Sequence, residues 1–176
     1  MARCYRLRRC GIIPPLLSVL GVLLFFTSCG RPPKEAALIA KFYANKPGFE
    51  SLRMMLQADE QLMAVSSKTG VERRASGVPR PPSEVHFPLN RYNEYRTLLE
   101  QIGSSEVFRA GQDNSEICVA VWASGFGGDT RHVDDCWLER EPTNQVASLD
   151  EFYKTSKPRH PVFRHVEGNW YLFADW

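Results

Sequence analysis

The chain has 176 residues, 43% of them apolar and 24% charged, with 22 Lys and Arg against 20 Asp and Glu. That length suits one domain, and the composition excludes a wholly disordered, collagen-like or multi-span membrane protein. Arg3, Arg6, Arg8 and Arg9 are the only charged groups in residues 1–28, so residues 29–176 hold 18 basic and 20 acidic groups, a net of −2. The basic pI therefore belongs to the precursor and supports no nucleic-acid partner.

After those arginines an apolar run, Leu16 to Phe26, ends in Thr27-Ser28-Cys29-Gly30. A basic start, a short apolar core and a small-residue cleavage site form the layout of a secretory signal. Pro14 and Pro15 break the run at its start, leaving about eleven residues where a spanning helix needs about twenty. Phe26-Thr27-Ser28-Cys29 resembles the lipobox of bacterial lipoprotein precursors, with Phe26 where Leu is usual. The resemblance covers residues 1–30. It implies cleavage before Cys29, acylation of its thiol and attachment to membrane lipid on the periplasmic side. Gly30, rather than Asp, after the cysteine implies the outer membrane by that family's sorting rule. Each buried acyl CH₂ contributes about 0.8 kcal/mol, so two or three chains hold firmly where one holds marginally. Arg31-Pro32-Pro33-Lys34 then reads as a short, stiff tether. The competing readings are a conventional secretory signal with an incidental cysteine, or an uncleaved anchor.

Residues 35–176 read as a single domain. Residues 34–62 carry a helical stripe (Ala36, Ala37, Ile39, Ala40, Tyr43, then Phe49, Leu52, Met55, Leu56) interrupted by Pro47-Gly48, as one kinked helix or two. Leu62–Val65 suits a short strand. Residues 66–88 are rich in Ser, Gly, Pro and charge and read as a long exposed loop. A second helix is expected from Arg91 to Ile102, capped by Asn90 and Gly103, burying Tyr92, Tyr95, Leu98, Leu99 and Ile102. Strands are expected at 105–110, 116–123 and 131–138. Ser148-Leu149-Asp150-Glu151 is a capping box for a short helix, and Val162–Val166 with Trp170–Phe173 forms a closing hairpin. Helices first and hairpins after predict an α+β fold: an antiparallel sheet of four to five strands with two N-terminal helices on one face. The closing segment Arg164-His165-Val166-Glu167-Gly168-Asn169-Trp170-Tyr171-Leu172, with Phe49–Leu52 and Asp59, is similar to a group of small bacterial proteins that share an R-H-x-E-G-N-W-Y-L ending and carry no assigned activity.

Cys4 and Cys10 leave with the signal, so Cys118 and Cys136 remain as an even pair in an oxidising compartment. A hairpin turn centred on Gly127 sets them opposite one another for a disulfide; a turn centred one residue away leaves two buried thiols.

No nucleophile, zinc, phosphate-loop or redox motif is present, so no cofactor and no metal are expected. Ser124–Gly128 is glycine-rich but opens no helix, and it reads as a turn. His160 and His165 are five apart and do not share a strand face. Residues 110–151 hold nine acids against Arg131 and Arg140. Asp129, Asp134, Asp135, Glu139 and Glu141 are thus candidates for docking a basic envelope or toxin protein. The leading expectation is a non-catalytic, lipid-anchored binding module, in its sharpest form an immunity-type inhibitor of a periplasmic toxin. The alternatives are an envelope hydrolase centred on His132 with Asp134 or Asp135, or a structural lipoprotein linking membrane to wall.

Overall fold

Among the described residues seven strands form one antiparallel sheet, and three helices lie on one of its faces. The computed structural model describes residues 32–111, 113–124, 131–154 and 161–175. In chain order the elements are α1 (Glu35–Ala58), β1 (Leu62–Ser66), β2 (Gly70–Arg73), α2 (Leu89–Gln101), β3 (Glu106–Ala110), β4 (Glu116–Ser124), β5 (Arg131–Trp137), α3 (Leu149–Phe152), β6 (Val162–Glu167) and β7 (Trp170–Asp175). The sheet order is β2-β1-β3-β4-β5-β7-β6. The α+β class and antiparallel sheet agree with the sequence reading, but the sheet has seven strands instead of four or five, and three helices cover it instead of two.

Alternation along each strand sorts residues onto two faces. One cross-strand row, Val71, Val65, Val107, Val119, Asp135, Leu172 and Arg164, lies beneath the helices. The row beside it, Glu72, Ala64, Phe108, Cys118, Cys136, Tyr171 and His165, lies on the opposite face.

α1 is one helix, with Pro47 inside it. Its buried stripe is Leu38, Phe42, Phe49, Leu52 and Leu56, which keeps a single helical phase through the proline. Leu38 and Phe42 therefore take the place of the expected Ile39 and Tyr43, and Tyr43 is half exposed. Gly48 lies where α1 meets the end of α2: a Cβ there would sit 2.7 Å from Ile102 Cγ2. Phe42 and Phe49 pack on Trp170 of β7, whose indole N–H donates to Glu50 Oε1 at 2.7 Å. The segments around Glu50 and Trp170, 120 residues apart, thus meet in the core.

α2 starts at Leu89 without a side-chain cap, so Asn90 does not serve as one. It buries Tyr92, Tyr95 and Leu99. Tyr95 Oη donates to Asp59 Oδ2 at 2.8 Å and Arg91 Nε to the same oxygen at 2.9 Å, tying α2 to the end of α1.

The stretch 66–88 is not all loop. β2 pairs with β1, and Val71 forms a further bridge to Arg80. Gly70 permits this: its φ is +112°, and a Cβ would sit 2.1 Å from the Arg80 carbonyl oxygen. A four-residue strand among Ser, Arg and Gly carries too little apolar alternation to read from composition.

Candidate functional site

The β4–β5 hairpin holds most of the residues singled out from the sequence. Cys118 and Cys136 face one another across it, bonded, with Cα atoms 4.0 Å apart. A bulge between Ala120 and Trp122 shifts the register beyond this point. The turn itself, including Asp129, lies outside the described residues, as do Cys29 and His160.

Asp134 and Asp135 are 3% and 1% exposed and occupy opposite faces. Neither has the exposed position expected of a docking acid. Asp135 sits in the valine row under α1, and neither of its oxygens has a hydrogen-bond partner among the described residues. Burial pushes its carboxyl up to about 7, against the opposing pull of Lys41. Asp134 faces away from the helices; burial, then Asp135 and Glu106, push it up to about 8.

His132 Nε2 is 3.6 Å from Asp134 Oδ2, and its ring lies against Phe173 with 5.5 Å between centroids. Asp135, on the far side of the sheet, cannot join this pair. A general acid–base centre needs its groups converging on one space; β5 keeps His132 and Asp134 on one face and sets Asp135 on the other. Of the remaining expected acids, Glu139 and Glu141 are exposed, and Glu141 accepts from Gln145 Nε2 at 2.7 Å.

Glu139 also borders an open cleft of about 840 Å³ with Gln57, Glu60, Arg74, Arg109 and Asp113. Arg109 is already used there: it donates to the carbonyls of Leu56, Leu62 and Asn114, fastening the end of α1 to β3. Burial holds its pKa down, and Arg74 lowers it further. Among the described residues no group of three His, Cys, Asp or Glu is placed to hold a metal, and no helix is long and apolar enough to cross a membrane.

The helix-free face is the feature that one-residue-at-a-time reading missed. It carries a cluster of Cys118, Cys136, Leu138 and Tyr171, flanked by partly buried Phe108, Phe163 and Phe173. Around that cluster stand Glu72, Glu106, Glu116, Asp134 and Asp175, placed on this face by strand register. Among the described strand residues of this face none is Lys or Arg. Burial and Glu72 raise the Glu106 carboxyl; burial and Asp113 raise that of Glu116. The signal lay in the alternation Glu106-x-Phe108 and Glu116-x-Cys118, and in β2, which supplies Glu72.

Comparison with protein-family models, curated proteins and solved structures found no match.

Proposed function

We propose that the chain is a lipid-anchored lipoprotein of the bacterial envelope, held by acylated Cys29 and facing the periplasm, that works as a non-catalytic protein-binding module. The anchor rests on the basic start, short apolar core and Phe26-Thr27-Ser28-Cys29 sequence. The binding role rests on one observation: a sheet face, helix-free among the described residues, that combines partly exposed aromatic rings with carboxylates. The sharper form of the proposal is an immunity-type inhibitor that holds a basic toxin as it enters the periplasm, from the outer membrane.

Two measurements test this reading. Metabolic palmitate labelling should mark the wild type and leave Cys29→Ser unmarked; equal labelling of the two overturns the anchor. The protein, extracted in mild detergent at low salt, should co-purify with a basic protein that leaves at high salt, as screening of a charged interface requires. Purification as a lone chain at both salt concentrations overturns the binding role.

A further inference from the structure

Among the described residues the seven-strand sheet buries one face under three helices and carries no helix on the other. A cross-strand row spans that second face, with Phe108, the Cys118–Cys136 bond and Tyr171 in its middle. Phe163 and Phe173 pack beside them with ring centroids 5.1 Å apart. The bond and Tyr171 are themselves buried, so what this face offers a partner is the partly exposed rings of Phe108, Phe163 and Phe173.

The charges select the partner. On the β1–β3 side a cleft of about 260 Å³ is lined by Met63, Ala64, Glu72, Glu106, Phe108 and Arg109; Arg109 donates to the carbonyls of Leu56, Leu62 and Asn114, and the two carboxylates outnumber it beside the one aromatic ring. Glu116 and Asp175 stand on the same face at its other margins. Arg140, in the loop after β5, is a rim cation beside Asp113. The two imidazoles of the face, His132 and His165, do not neutralise it: His132 pairs with buried Asp134, and His165 Nε2 lies 2.9 Å from the Gly168 carbonyl. Such a field repels nucleic acid and anionic lipid. It also opposes a second copy of the chain, since an isologous contact would set the same carboxylates against each other. A cationic surface with apolar side chains satisfies both the rings and the acids, and a guanidinium or ammonium entering the cleft gains ion pairs and a cation–π contact together.

We infer that the helix-free face is the docking surface for a basic protein partner, with a Lys or Arg of that partner seated between Glu72 and Glu106 against Phe108. This rests on the binding-module reading and names its surface and the partner's chemistry. Burial first, and then Glu72 beside Glu106 and Asp113 beside Glu116, raises both carboxyls, and an incoming cation offsets the repulsive part.

The test is site-specific photo-crosslinking of the full chain in its own envelope. A crosslinking residue is placed at Phe108 or Phe163, or at Met54, which is half exposed on α1, as a comparison. The expected result is an adduct at Phe108 and Phe163 whose crosslinked peptide has more Lys and Arg than Asp and Glu. Glu72→Lys with Glu106→Lys should lower the Phe163 yield at least tenfold; the milder Glu72→Gln with Glu106→Gln should lower it several-fold while leaving the circular dichroism unchanged. An adduct with lipid, with a second copy or with a neutral or acidic peptide overturns the inference, as does a yield indifferent to both double variants. Adducts from Met54 alone overturn this surface and leave the binding module standing. No adduct from any of the three positions overturns both.

Discussion

Asp134 and Asp135 are neighbours on β5 and project from opposite sides of the sheet, each almost completely withdrawn from solvent. Asp135 stands in line with Val119 and Leu172, where every other position under the helices is aliphatic until Arg164 at the edge. Such a position accommodates a neutral carboxyl and resists a charged one. Between the ordinary carboxyl value of 3.8 and about 7 for Asp135, or about 8 for Asp134, the folded chain keeps protons that the unfolded chain has released. Stability from these groups is therefore full below about pH 4, falls as pH rises at up to about 1.4 kcal/mol per unit per group, and levels off above about pH 8. Asp135→Leu, near-isosteric with its neighbours' chemistry, is expected to stabilise the protein by roughly 2 kcal/mol at pH 8 and to do little at pH 4. Urea titrations at the two pH values measure this; an Asp135→Leu variant weaker than the wild type at pH 8 refutes it.

A carboxylate with the opposite behaviour sits at the start of the domain. Glu35 Oε2 accepts from the Leu149 amide at 2.7 Å and Oε1 from Arg164 Nε at 2.8 Å, while the Glu35 amide donates to Asp150 Oδ1 at 3.0 Å. The first turns of α1 and α3 thus cap each other, and β6 joins them through Arg164. Burial raises the Glu35 carboxyl, but the hydrogen bonds from Arg164, Ser148 and Leu149 outweigh it and hold it below its usual value. Its contribution is present above the unfolded carboxyl value and is lost as pH falls through the folded one. Glu35→Ala should cost roughly 2 kcal/mol at pH 7, through an unsatisfied buried amide and an unpaired Arg164. The deficit should shrink in acid, where chemical denaturation of the two proteins is compared.

Much of this architecture was legible in the chain. Tyr92, Tyr95 and Leu99 recur at helical spacing and are buried; Ser148 accepts from the Glu151 amide as the capping box predicts. The closing hairpin turns at Gly168, whose φ of +56° favours glycine. What could not be read is set by tertiary contacts. Pro47 normally ends a helix, yet the apolar residues on both sides of it share one buried stripe, and packing against the sheet and Trp170 carries α1 through. Asp134 and Asp135 counted as surface acids because charged residues are seldom buried; only the sheet order, which places β5 between β4 and β7, covers both their flanks. The candidate surface was not legible, since the acid-rich stretch 110–151 holds only Glu116 and Asp134 of its carboxylates, and Glu72, Glu106 and Asp175 reach the face through strand register.

The Cys118–Cys136 bond closes a loop of 18 residues between β4 and β5. On the chain-entropy account, that loop length contributes about 3 kcal/mol by restricting the unfolded chain. Cys118→Ala with Cys136→Ala should lose roughly that amount in equilibrium unfolding. A reductant should weaken the wild type to the same level and leave the double variant unaffected. Equal stability of oxidised wild type and double variant would remove the bond from the account of this fold.

Gly48 offers a test of how closely α1 is pressed against the end of α2. Alanine is better than glycine in a helix interior by about 1 kcal/mol, so Gly48→Ala should stabilise if the site were open. It is not open: the new methyl would lie 2.7 Å from Ile102 Cγ2, inside the packing distance of two carbons. Ile102 is itself 4% exposed and has little room to move. Gly48→Ala is therefore expected to destabilise by about 1–2 kcal/mol through overpacking. Ile102→Ala should cost about 2–4 kcal/mol alone, but it empties the space the new methyl needs. In that background Gly48→Ala should change sign and become stabilising by up to about 1 kcal/mol. A double-mutant cycle by chemical denaturation reads the coupling directly, and additive effects of the two substitutions would show that the helix junction is looser than its geometry.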